Sequence, residues 1–177
     1  LAVTEESNAI SKFVCEGLTK NSELNKIGEY LVQAYKNAQE IGSLQTIQEY
    51  DYKSFTEYLL NLENDGSQFD LFASSWLMNE KPLMLKLAKQ ATIMSKKYTV
   101  VCTNPPYMNN LNGELKKFAI KNYKDFSGDI FSIFIIRNLK YVSTRGYSAY
   151  MTPNVWMYIK SFEKLRSTLI RNYSISS

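Results

Sequence analysis

The residues best suited to do chemistry stand together at Asn104-Pro105-Pro106-Tyr107, directly after the uncharged run Tyr98–Thr103. The side-chain oxygen of Asn104 and the backbone carbonyl of Pro105 are two acceptors that one planar amine could satisfy with its two N–H groups. An exocyclic amine such as that of adenine is a poor nucleophile, because its lone pair is delocalised into the ring. Acceptors on both hydrogens draw the nitrogen toward tetrahedral geometry and stabilise the charge that grows as it attacks a methyl group. Each proline fixes φ and brings no competing N–H, and each forces the residue before it into an extended conformation. The loop is therefore stiff. Tyr107 offers a flat face on which a base taken out of a duplex could stack. The plain structural alternative is a rigid Pro-Pro turn leaving a strand, with Asn104 bonding locally.

Much other chemistry is excluded. Histidine is absent and the two cysteines, Cys15 and Cys102, lie far apart, so the usual zinc sites, the Ser-His-Asp triad and the Cys-His pair cannot be built. Cysteine usage of this kind points to a reduced, cytoplasmic setting. No run of eighteen apolar residues occurs, so no membrane partner is expected. The start, Leu1-Ala2-Val3-Thr4-Glu5-Glu6, is not a secretory signal and lacks an initiator Met. A piece of a longer protein is expected.

Charge divides the chain. Residues 1–80 carry five Lys against thirteen Asp/Glu, whereas residues 81–177 carry sixteen Lys/Arg against four Asp/Glu. An acidic segment, 1–80, thus precedes a basic part, 81–177, that holds the motif. A basic half suits a nucleic-acid partner, although lysines also serve simply to keep a surface soluble.

The elements that must position the motif follow from periodicity. In the acidic segment, Ile10, Phe13, Val14 and Leu18 recur at helical steps, as do Leu24, Ile27, Leu31, Ala34, Tyr35 and Ala38. Gly42 is placed to end that second helix in the left-handed conformation. Phe55, Tyr58, Leu59 and Leu62 predict a third helix, closed by Asn64-Asp65-Gly66, and Asp70 to Met78 a further piece. In the basic part, Pro82 opens a helix to about Ser95, with Leu83, Leu87, Ala91 and Met94 inward. Tyr98–Thr103 reads as a buried strand, Asn104 to Asn112 as a loop, and Glu114 to Tyr123 as a helix. Asp129 caps an apolar helix, Gly146–Thr152 forms a second strand, Ser161 caps a last helix, and Tyr173 to Ser177 starts a third strand. The fold class is α/β: parallel strands with helices, preceded by a helical segment.

Val100-Val101-Cys102-Thr103-Asn104-Pro105-Pro106-Tyr107 resembles the catalytic motif of adenine-specific DNA methyltransferases. Asp129-Ile130-Phe131-Ser132-Ile133-Phe134 is similar to that family's Asp-x-aromatic-x-x-Phe segment, and Gly146 to Trp156 to its next strand. Asn154-Val155 departs from the family's Pro-x-Ser pattern and receives no role. Residues 96–172 look most like the PglX-type methyltransferases of the BREX phage-defence system. The resemblance implies a partial Rossmann-like methyltransferase sheet, S-adenosylmethionine as cofactor with Phe134 against its adenine ring, and duplex DNA with a flipped adenine as partner. Asn104, Pro105, Pro106 and Tyr107 are the catalytic residues it implies.

The family's glycine-rich cofactor loop has no counterpart. No two of Gly17, Gly28, Gly42, Gly66, Gly113, Gly128 and Gly146 form a G-x-G turn. The chain is therefore expected to be a fragment that is inactive alone, and its cut sheet to expose an edge that favours self-association. Two other readings stay open. The same motif serves methyltransferases of release-factor glutamine and ribosomal RNA guanine, and the chain could be a non-enzymatic nucleic-acid-binding module.

Overall fold

A computed structural model describes residues 4–10, 21–62, 71–111 and 113–176. The chain forms two compact units, Leu1–Lys96 and Lys97–Ser177.

The first unit is helical: α1 (Ser22–Ala34), α2 (Ala38–Ile41), α3 (Tyr52–Asn61), α4 (Leu71–Asn79) and α5 (Lys81–Met94). Asn21 starts α1 by accepting from the Glu23 amide at 2.9 Å, and Asp51 starts α3 by accepting from Ser54 at 3.0 Å. Ile27, Leu31, Tyr35, Phe55, Leu59, Leu87 and Ala91 share one core. The helix expected to run on through Ala38 ends at Ala34, and Asn37, in the turn that follows, takes φ +55°. Asparagine tolerates that conformation, and Asn8 secures it by accepting from the Asn37 amide at 3.1 Å. Gly42 has φ +61° as expected, but ψ −143° lies outside the left-handed helical well. The expectations for Phe13, Val14, Leu18 and Asn64-Asp65-Gly66 lie outside the described residues. By charge α5 belongs with the basic part, whereas by packing Met84, Leu87, Ala88 and Ala91 place it in the first unit's core.

The second unit carries the sheet: β1 (Tyr98–Thr103), α6 (Gly113–Tyr123), α7 (Ile130–Leu139), β2 (Val142–Tyr150) and α8 (Glu163–Asn172). The strands pair in parallel, Val101 opposite Ser148, Cys102 opposite Ala149 and Thr103 opposite Tyr150. Parallel strands need a long crossover, which α6 and α7 supply. Strand, helices, strand, helix is a partial Rossmann-like layer, as expected.

β2 begins at Val142 rather than Gly146, because a bulge accommodates polar residues before the regular pairing. Two steps on β1, Tyr98 to Val100, face five on β2, Val142 to Tyr147. Arg145 takes φ +63° in that bulge. At Gly146 an added Cβ would come within 2.7 Å of the Thr99 carbonyl oxygen and 2.8 Å of Val142 Cγ1. The strands meet this closely because Gly146 has no side chain.

β1 is not the buried strand its composition predicts. Val100 is 59% exposed and its partner Tyr147 73%, and Cys102 and Ala149 continue that open face. The opposite face is half-buried: Tyr150 packs on a core of Phe131 and Ile135 from α7, Leu165 and Leu169 from α8, and Phe162 from the turn before α8. Apolar composition reflects a strand covered on both faces; here helices cover one. Ser161 does not cap α8, which starts from Phe162 after a 3₁₀ turn at Lys160–Phe162. Arg166 braces that turn instead, donating to the Trp156 and Ile159 carbonyls at 2.6 and 2.7 Å. Residues 173–176 form no strand; polar Ser174 and Ser176 flank a lone Ile175.

Candidate active site

The loop that begins at Asn104 leaves the carboxyl end of β1, the edge at which open parallel sheets place ligands. The strand pairing continues one step past β2, where the Met151 amide donates to the Thr103 carbonyl at 3.2 Å. The loop thus departs from a point fixed by the sheet. Pro105 is buried, whereas Asn104, Pro106 and Tyr107 are exposed. Among the described residues, no intrachain hydrogen bond engages the Asn104 side chain.

Tyr107 is held on two sides. Its hydroxyl donates to the Met151 carbonyl at 3.1 Å, and its ring meets Phe131 edge-on, with centroids 6.4 Å apart and planes at 90°. Phe131 is itself buried and packs on Phe162, with centroids at 5.2 Å. With 54% of the residue still exposed, Tyr107 keeps a free aromatic surface.

Asp129 caps α7 as its position predicts, accepting from the Phe131 amide at 3.2 Å. The same oxygen accepts from the Met108 amide at 3.0 Å. In return the Met108 carbonyl accepts from the Ile130 amide at 3.0 Å. The loop is therefore pinned at Met108 to the first turn of α7.

Behind the loop, Tyr150 faces the Thr103 end of β1 and donates to the Ile135 carbonyl at 3.3 Å. Burial raises its phenol above the usual tyrosine value, against a smaller opposing effect of the Ser148 hydrogen bond. The structure brings Asn104, Pro105, Pro106 and Tyr107 into one loop and joins it to α7 through Asp129 and Phe131. Phe134 lies one turn beyond Phe131, half-buried. Composition and spacing gave no sign of Met108 and Met151, because both act through backbone atoms. Asp129 is legible as a cap and as the head of the Asp-x-aromatic-x-x-Phe segment, but its bond to Met108 is not.

Among the described residues, no two glycines stand close enough to form the turn that would cradle S-adenosylmethionine. A cradle needs glycines where a ligand approaches the backbone. Gly146 is crowded by the backbone of its own sheet, and nothing lies within 4 Å of a Cβ at Gly42. A cleft of about 880 Å³ in the first unit, lined by Lys26, Tyr30, Gln33 and Tyr50 among others, contains none of the motif residues.

Residues 2–177 match the Eco57I restriction-modification methylase family. The chain belongs to that family. The adenine-specific methyltransferase BrxX of Escherichia coli O9:H4 (strain HS) is 31% identical over 145 residues, 78% of this chain and 11% of that protein. The adenine-specific methyltransferase PglX of Lacticaseibacillus casei (strain Zhang) is 30% identical over 135 residues, 73% of this chain and again 11% of the relative. This Eco57I-family chain therefore spans about a ninth of each of these relatives. Among the described residues, none of its helices is long and apolar enough to cross a membrane.

Proposed function

We propose that this chain is the part of an S-adenosylmethionine-dependent DNA adenine methyltransferase that receives the substrate amine, acting in phage defence. The observation that carries this reading is the placement of Asn104-Pro105 at the carboxyl end of β1, with the Asn104 side chain exposed and uncommitted. In this reading Asn104 Oδ1 and the Pro105 carbonyl accept the two N–H bonds of a flipped adenine. Pro106 keeps the loop stiff, and the open surface of Tyr107 stacks on the base. S-adenosylmethionine supplies the methyl group; Phe134 lines its adenine pocket, and the main cradle lies outside this chain.

The acidic segment 1–80 precedes the catalytic part, and the basic part 81–177 faces duplex DNA. The protein works in the cytoplasm. Alone, this chain is inactive, and the bare face of Val100, Cys102, Tyr147 and Ala149 drives its self-association. The test is to give the full-length parent labelled S-adenosylmethionine and duplex DNA, then digest the DNA and look for N6-methyladenine. The 177-residue chain should incorporate no label and give no heat with micromolar cofactor. Label in ribosomal RNA guanine or release-factor glutamine, or none at all, would overturn the assignment.

A further inference from the structure

We infer that Asp129 is a positioning residue for the Asn104–Tyr107 loop, beyond its part in capping α7. The inference rests on the methyl-transfer reading above.

A cap needs only one acceptor for the free amides of a helix's first turn. Asp129 does this for Phe131 at 3.2 Å, yet its Oδ1 lies nearer still to the Met108 amide, at 3.0 Å. The Met108 carbonyl is taken by Ile130 at 3.0 Å, so both polar groups of Met108 are committed to the start of α7. The Asp129–Met108 bond crosses 21 residues of sequence.

The length of chain between clamp and motif makes the bonds consequential. From Met108 back to Asn104 there are three intervening residues, and Pro105 and Pro106 are two of them. Each proline removes a free φ and restricts the residue before it, so this short stretch transmits a displacement rather than absorbing it. At the other end, Thr103 is fixed by the Met151 amide. The Asn104 side chain is thus held between two anchors, the sheet at Thr103 and Asp129 at Met108. The Asp129 carboxylate faces backbone amides, so its effect on the reaction passes through the loop. Misplacing an acceptor by about 1 Å can cost on the order of 100-fold in rate.

The experiment compares Asp129→Asn, Asp129→Ser and Asp129→Ala in the full-length parent. Serine caps a helix about as well as aspartate, but its side chain is one bond shorter and cannot also reach Met108. Asparagine keeps the Oδ1 acceptor. The expected result is turnover within about threefold of wild type for Asn, and a loss of roughly 100-fold for Ser and Ala. DNA affinity should be unchanged in all three, and the melting temperature of the Ser variant should match wild type. Hydrogen exchange in the peptide spanning residues 104–111 should quicken in the Ser and Ala variants but not in Asn. If Ser restored turnover together with stability, or left that exchange unaltered, Asp129 would be a cap and nothing more. A wild-type parent that methylates no DNA would sink the methyl-transfer reading, while exchange would still decide the clamp.

Discussion

The Tyr107 hydroxyl donates to the Met151 carbonyl oxygen at 3.1 Å, which ties the loop after β1 to the segment after β2. Both segments leave the same end of a parallel pair, and the Met151 amide completes the link through Thr103. Tyr107 therefore has two separable parts: a hydroxyl that fastens the loop and a ring that stays available.

Replacing each part alone should give different losses. Tyr107→Phe removes one hydrogen bond, worth about 0.5–1.5 kcal/mol net, and keeps the ring. Tyr107→Ala also removes stacking, worth roughly 1–3 kcal/mol per base. Equilibrium binding of the full-length parent to its target duplex should weaken more for Ala than for Phe. Equal losses would mean that the ring touches no base.

Gly146 should tolerate no side chain. The 2.7 Å approach to the Thr99 carbonyl leaves alanine no room without moving the strand backbone. Overpacking of this kind costs about 1–3 kcal/mol, to be read as a lower urea midpoint for Gly146→Ala. An unchanged midpoint would show that β1 and β2 separate freely at the bulge.

Alkaline pH should loosen the second unit through Tyr150. Burial raises its folded-state value above the unfolded one, near 10. The stabilising contribution is thus fully present below pH of about 10 and is lost as pH rises through the folded value. Urea unfolding from pH of about 9 upward should show wild type losing stability more steeply than Tyr150→Phe, which cannot ionise. Parallel curves would reject Tyr150 as the cause.

On the proposed function, the lysines of α6 and the turn after it should bear on DNA binding. Lys116, Lys121 and Lys124 are exposed and, among the described residues, form no ion pair. If each meets a phosphate, changing one to Gln should reduce the slope of log K against log salt by about 0.9. An identical slope in the triple Gln variant would place the DNA elsewhere.

Most of the fold could be read in the sequence, because its signals are local. Asp129, Pro82 and the apolar steps of α1 and α7 act within a turn or two, and those elements form where expected except that α1 stops at Ala34. The failures involve partners distant in sequence, or whether both faces of the sheet are covered. Val100 and Val101 have the composition of a covered strand, but composition cannot say whether both faces are covered. Ser161 has the chemistry of a cap, yet Arg166 reaches back to the turn and fixes the helix start one residue later. The site divides in the same way. Asn104, Pro105, Pro106 and Tyr107 are contiguous and legible, whereas Met108 and Met151 contribute backbone atoms that any residue could supply.

The most direct test of the central claim is the turnover of Asn104→Ala in the full-length parent, read as N6-methyladenine formed per enzyme. Removing one of two acceptors from the growing charge should lower turnover by on the order of 100-fold or more, as loss of a single oxyanion-hole donor does, with DNA affinity preserved. Undiminished turnover would contradict the account, because the methyl-accepting amine would then not lie at Asn104.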